Sequence, residues 1–110
     1  MALALNRFKI YTKQLTDASQ TIYTAPTGYT AIILYAHVTN YGSAATTITC
    51  SHVRSSTTTQ IINGAEVPVN DAYIPLDGKL VLETSDYVVG QAGANSTLKV
   101  LLSVLETANA

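Results

Sequence analysis

The feature that most constrains this chain is a two-residue alternation of apolar side chains, carried by residue types that resist helix. Ile32, Leu34, Ala36 and Val38 share one parity, while Ile33, Tyr35, His37, Thr39 and Tyr41 take the other. Leu98, Val100, Leu102 and Val104 repeat the pattern against Lys99, Leu101, Ser103 and Leu105. Successive side chains of a strand point to opposite faces, so this period reads as β-structure. Thr46-Thr47 and Thr57-Thr58-Thr59 add β-branched runs whose restricted χ1 weakens a helix and suits a pleated surface. The run from Leu98 is fairly apolar on both faces, which predicts a central strand or one covered by a neighbour.

Turn chemistry cuts the alternation at regular intervals. Asp17-Ala18-Ser19, Pro26-Thr27-Gly28, Asn40-Tyr41-Gly42-Ser43, Asn63-Gly64, Asp77-Gly78 and Gly93-Ala94-Asn95 each interrupt a strand-like run. The spacing predicts about eight strands, over 7–15, 20–25, 29–40, 45–53, 58–69, 72–76, 79–90 and 97–106. Two antiparallel sheets packed face to face hold that number, so the expected fold is an all-β sandwich of jelly-roll or Greek-key type. Asp77-Gly78, between Ile74 and Leu76 on one side and Leu80 and Leu82 on the other, predicts a type I′ hairpin with Gly78 at positive φ. Ile32, Leu34, Leu80, Leu82, Val100 and Leu102 form the predicted core.

A length of 110 residues suits one domain, 1–110, able to bury enough surface without staples. With 47% hydrophobic and 12% charged residues, the chain has the balance of a folded domain and not of a disordered one. Met1 to Asn6 and Thr107 to Ala110 fall outside the alternating pattern. Residues 1–6 are therefore an expected N-terminal arm, in which Ala2, Leu3 and Leu5 are candidates for docking on a neighbour. The net charge of −1 comes without a basic run, so nucleic acid is not an expected partner. No segment approaches the ~18 apolar residues of a membrane helix, and the apolar stretch after Met1 is too short for a signal peptide. One cysteine, Cys50, allows no internal disulfide and points to a reducing compartment of synthesis. A soluble product, cytoplasmic when made, is expected.

Candidate chemistry is sparse. His37 and His52 lack the spacing of a metal cluster, and Cys50 shares a parity with Ile48 as a small core residue would. Asp17, Asp71, Asp77 and Asp86 sit at expected turns, where bonding to nearby backbone amides accounts for them. There is no Gly-x-Ser-x-Gly elbow, and Gly90-Gln91-Ala92-Gly93 is not followed by the lysine of a phosphate loop. No catalytic residue, metal or cofactor is expected, and the chain does not read as an enzyme. Seven tyrosines without a tryptophan leave large amphipathic rings for sheet edges and contact surfaces. Tyr35 and Tyr41, on the less apolar face of the third strand, are the interface candidates among them.

Two stretches carry a family likeness. One runs Ile22-Tyr23-Thr24-Ala25-Pro26-Thr27-Gly28-Tyr29-Thr30-Ala31-Ile32; the other runs Asp77-Gly78-Lys79-Leu80-Val81-Leu82-Glu83 through Asp86 and closes on Leu102-Ser103-Val104-Leu105-Glu106. Over about residues 20–106 the chain resembles small virion structural proteins of tailed bacteriophages. The resemblance implies a place in a virion, with other copies of the chain and capsid, neck or tail subunits as partners, and it brings no catalytic residues. Capsid decoration, in which a cement protein binds a repeating lattice, suits the low charge and the Thr and Ser surface; a head-to-tail neck or a tail or fibre-base component is the alternative. A carbohydrate-binding sandwich is a different class of function, with exposed tyrosines for stacking sugar rings but no tryptophan to support it.

Overall fold

Among the residues that the computed structural model describes, 6–76 and 78–109, the alternating runs become nine strands: β1 Asn6–Gln14, β2 Gln20–Thr24, β3 Tyr29–Asn40, β4 Thr46–Arg54, β5 Thr57–Val67, β6 Ala72–Tyr73, β7 Leu80–Leu82, β8 Tyr87–Ala92 and β9 Leu98–Ala108. Sheet I has the order β1-β9-β3-β6, with β7 also on β3; sheet II has the order β2-β8-β4-β5. All pairings are antiparallel. β6 and β7 follow one another along the same side of β3, opposite Thr39 to Val38 and then Ile33 to Ala31, so they act as one interrupted edge strand. Counted that way, each sheet has four strands, and the chain passes between sheets at every connection except the β4–β5 hairpin. This is the order of a jelly roll. No helix among the described residues is long and apolar enough to cross a membrane.

The core lies between the sheets. Sheet I contributes Ala31, Ile33, Ala36, Val38, Leu82, Val100, Leu102 and Val104, and sheet II contributes Tyr23, Ile48, Cys50, Val67, Val88 and Ala92. β9 behaves as its sequence predicts: Leu98, Val100, Leu102 and Val104 are buried, and β1 and β3 flank it on either side. Cys50 is buried beside Ile48 of the same strand. The Pro26-Thr27-Gly28 turn closes with the Tyr29 amide donating to the Pro26 carbonyl at 3.1 Å, and Gly28 has φ 86°, where a side chain would be strained.

Four expectations need correction. The parity of β3 changes along the strand, because Ile33 and Tyr35 pair with consecutive residues of β9, Val104 and Ser103. The extra residue, Leu34, is a β-bulge, and side chains after it point the other way. Tyr29, Ala31 and Ile33 face inward before the bulge and Ala36, Val38 and Asn40 after it. Ile32 is therefore only half-buried and Leu34 is 37% exposed, although both were expected in the core. Leu82, Val100 and Leu102 are buried as expected, and Leu80 packs partly against them.

The expected strand over 79–90 is two strands in different sheets, β7 and β8, separated by a turn at Glu83–Asp86 in which the Asp86 amide donates to the Glu83 carbonyl at 2.9 Å. Nor does Asp77-Gly78 form a hairpin. Asp77 lies outside the described residues, Gly78 has φ 131°, and the strands on either side pair with β3 and not with each other. A positive-φ glycine serves a loop along an edge as well as a hairpin tip. At the ends, Asn6 pairs with Thr107, and β9 runs on to Ala108; these residues are strand and not arm. Residues 1–5 lie outside the described residues.

The bulge sets a ranking of core mutations. Leu82→Ala or Leu102→Ala should cost ~2–5 kcal/mol in urea unfolding, whereas Leu34→Ala should cost under ~1 kcal/mol. Equal costs at Leu34 and Leu82 would mean that β3 keeps one parity throughout.

Candidate functional site

The inward parity of β9 continues past Val104 to Glu106, a carboxylate with no solvent exposure. Its neighbour in register on β1 is Arg7, whose guanidinium lies 2.6 Å from Glu106 Oε1. That approach compensates the charge without aligning as a hydrogen bond, which leaves Oε1 and the buried Arg7 Nε unbonded. The hydroxyl of Tyr23, from sheet II, donates to Oε2, and that of Tyr11 approaches the same oxygen at 3.4 Å. Arg7 also lies over the ring of Tyr29 at 3.9 Å. Burial, reinforced by the bond to Glu106, pushes the Tyr23 phenol well above its ordinary value. The arrangement ties β1 and β9 to β2 across the sandwich. A carboxylate sealed from solvent meets no substrate, so this cluster is a structural fastening.

A second carboxylate, Asp86, ends the turn by which the chain changes sheets. Its Oδ2 accepts from the Glu83 amide at 3.0 Å, as a turn aspartate would, but it also receives Arg54 Nε at 3.0 Å on each oxygen and Arg54 Nη2 at 2.6 Å. His52 Nε2 lies 3.2 Å from Oδ2. The Arg54 hydrogen bonds outweigh burial, and with His52 and the Glu83 amide they hold the carboxyl at about 2. Both oxygens are occupied by a guanidinium, which suits a lock on the turn better than proton transfer. Burial pushes the Cys50 thiol up to about 11, where it is a poor nucleophile. Among the described residues, no group of three or more His, Cys, Asp and Glu side chains could hold a metal ion. The core void between the sheets, lined by Ile33, Ile48 and Val100 among others, measures about 10 Å³, too small for an organic ligand.

The unusual surface is the outer face of sheet I. In β1 Arg7 and Tyr11 turn inward toward Glu106, which leaves Phe8 76% exposed and Ile10 68% exposed. Binary patterning would place these two apolar side chains inside. Register extends the patch across the sheet: Phe8 lies opposite Leu105, Leu105 opposite Ile32, and Ile32 opposite Val81, which is 53% exposed. Four apolar side chains thus form one row across four strands. Beside it, Phe8, Ile10, Leu34 and Ser103 line a shallow depression. A contiguous exposed apolar patch of this kind marks a contact surface more often than it is left in water.

Tyr35 and Tyr41 lie on the same face, farther along β3 and just beyond its end. Both are partly exposed. Tyr35 stacks on His37 with ring centroids 5.9 Å apart and planes at 16°, and His37 Nδ1 lies 3.2 Å from the Thr39 hydroxyl. Lys99 Nζ sits 4.7 Å from the centre of the Tyr41 ring. The structure brings the two candidate tyrosines onto one sheet face with Phe8, Ile10 and Val81, which sequence reasoning did not single out. Candidates Ala2, Leu3 and Leu5 lie outside the described residues. The signal for Phe8 and Ile10 was present only jointly: an inward Glu106 read from β9 requires a basic partner, and a β1 that turns Arg7 inward must turn Phe8 outward.

No protein-family model matches the chain, and no curated protein matches it in sequence. Solved structures that share its fold include the following two. A chain of the disulfide-linked pili that form Bacillus endospore appendages is 10% identical, with a TM-score of 0.56 over 100% of this chain and 97% of that one. A chain of the acid-stable capsid structure of Helicobacter pylori bacteriophage KHP30 is 13% identical, with a TM-score of 0.56 over 94% of this chain and 88% of that one.

The Asp86 lock has a pH signature. Its folded-state carboxyl is depressed from 3.8 to about 2, so the stability it contributes is fully present above pH ~4 and is lost as pH falls through ~2. Asp86→Asn should therefore melt at a lower temperature than wild type at pH 7, and the gap should narrow in thermal melts between pH 4 and pH 2. A gap unchanged at pH 2 would mean that the Asp86 charge does not contribute.

Proposed function

We propose that the chain is a bacteriophage virion structural protein that works in many copies, as a decoration protein on the capsid lattice. The observation that carries this reading is the inverted β1, which fastens Arg7 into the core and presents Phe8 and Ile10 on an open sheet face with Val81. The inversion gives the module its Arg7–Glu106 fastening but leaves Phe8 and Ile10 in water, and burial against a neighbouring subunit would offset that exposure. The jelly-roll order supports the reading, as do the fold likeness to a phage capsid chain and the phage-like motifs around residues 22–32 and 77–86. The polar surroundings of the patch would keep the protein soluble before it meets a lattice. Tyr35 and Tyr41 extend the contact surface, and the partners are other copies and the capsid subunits beneath. A neck or tail station would use the same face.

The likeness to pili invites a comparison at the cysteine. Those fibres are disulfide-linked, but the one cysteine here is buried between the sheets, so a disulfide between copies does not suit this chain. Carbohydrate binding is favoured only by the exposed rings of Tyr35 and Tyr41, and a selective signal on a glycan array would support it.

The double variant Phe8→Ser, Ile10→Ser should keep the melting behaviour of wild type while its occupancy in purified particles falls about tenfold or more, the equivalent of ~1.4 kcal/mol of contact. Wild-type occupancy, or absence of the native chain from particles by immunolabelling, would overturn the reading.

A further inference from the structure

Phe8 and Ile10 lie on an edge strand, so sheet I has an open side next to them as well as an open face. Sheet I ends at β1 and at the interrupted β6–β7, and sheet II ends at β2 and β5. β1 pairs with β9 in nine consecutive register positions without a bulge, whereas the pairings of β2 and β5 both carry register shifts and β6 and β7 are two and three residues long. Bulges and short segments blunt an edge against further pairing, and among the described residues β1 is the edge that has neither.

Charge decides what can pair there. The strands of sheet I hold the cations Arg7, Lys9, Lys13 and Lys99 against one carboxylate, Glu106, which Arg7 takes. Lys9 and Lys13 lie opposite Val104 and Val100, on the parity of Arg7 and Tyr11, and neither joins an ion pair among the described residues. Tyr11 packs on Tyr23 of β2 with ring centroids 4.7 Å apart, so both sheets end on this side and a strand added beyond β1 has no second sheet beneath it. Its side chains on one parity meet water and two lysines; those on the other meet Phe8 and Ile10. We propose that β1 accepts an extended segment of a different virion protein, with carboxylates opposite Lys9 and Lys13 and apolar side chains opposite Phe8 and Ile10. The proposal rests on the reading of this face as a virion contact, because the added strand continues the row Val81–Ile32–Leu105–Phe8 by one position.

Register fixes the pattern of the partner. Residues opposite Lys9 and Lys13 stand four apart, with an apolar residue on each side of the one opposite Lys9. A second copy of the chain does not supply this pattern: a second β1 has no carboxylate, and no two of the seven Asp and Glu residues of the whole sequence stand four apart. The two lysines thus discourage pairing between copies of β1 while favouring an acidic strand.

A peptide with this pattern, Thr-Glu-Thr-Thr-Val-Glu-Val-Thr, tests the edge on the full-length protein, with a sibling that carries Lys for both Glu. By fluorescence anisotropy at low salt the acidic peptide should bind at least about tenfold more tightly than the basic one, and Lys9→Glu, Lys13→Glu should reverse the preference. Lys9→Gln, Lys13→Gln, which should abolish the preference, replaces the reversal if that variant melts below wild type. Hydrogen exchange read by NMR should show protection of alternate β1 amides when the acidic peptide is bound. No binding of either peptide at millimolar concentration, a preference unmoved by the lysine variants, or protection of β2 or β5 amides in place of β1 would each overturn the inference. So would equal binding of inorganic polyphosphate or phosphatidylglycerol vesicles, which means attraction to any anion. Any of these with the native chain present in particles removes the acidic strand and leaves the virion reading standing. Peptide binding at β1 by a chain absent from particles would do the reverse.

Discussion

The organisation of sheet I depends on one residue of extra backbone at Leu34. A strand has only two faces, and a sandwich needs the inward one to be small and apolar along its whole length. β3 carries inward-suited residues at odd positions up to Ile33 and at even positions from Ala36, and no regular strand can bury both sets. The bulge resolves the conflict by reversing parity between them. Its by-product is an apolar outer face. Ile32, which regular alternation would bury with Ala36 and Val38, joins Leu105 and Val81 on the outside.

Electrostatics completes what the bulge begins. A carboxylate with no solvent exposure requires charge compensation and hydrogen bonds, and Glu106 receives them from Arg7, Tyr23 and Tyr11. Turning Arg7 inward fixes the parity of β1, and the parity of β1 fixes Phe8 and Ile10 outward. One buried ion pair thus decides the face of an entire edge strand. At the other side of the sandwich, Asp86 and Arg54 hold the turn by which the chain leaves sheet I for sheet II, so the two carboxylates that look most like chemistry are explained by topology.

The sequence made β9 legible because its alternation is unbroken and its neighbours are on both sides. The sandwich architecture followed from turn spacing, but the expected eight strands are nine because the run over 79–90 divides between the sheets. The parity change in β3 was not legible, since a bulge needs no glycine or proline and Leu34 fits either face. Asp77-Gly78 was over-read: a positive-φ glycine is needed along the interrupted β6–β7 edge as well as in a hairpin, and only pairing partners distinguish the two. The break at Glu83–Asp86 carried turn residues that were outweighed by the apolar pattern on either side. For the candidate surface, Tyr35 and Tyr41 were readable from their parity after the bulge. Phe8, Ile10 and Val81 were not, because the pattern of β1 taken alone argues for the opposite orientation, and only the pairing of Arg7 with Glu106 reverses it.

These constraints describe a module that packs its core between two sheets and carries Phe8, Ile10, Leu34 and Val81 exposed on one sheet face. The direct test is hydroxyl-radical footprinting read by mass spectrometry, comparing the free protein with the protein in its assembled state. If the outer face of sheet I is the contact surface, Phe8, Ile10 and Val81 will be strongly oxidised in the free protein and protected on assembly, while exposed residues of sheet II keep their reactivity. Protection confined to sheet II, with Phe8 and Ile10 still reactive in the assembly, would contradict the account.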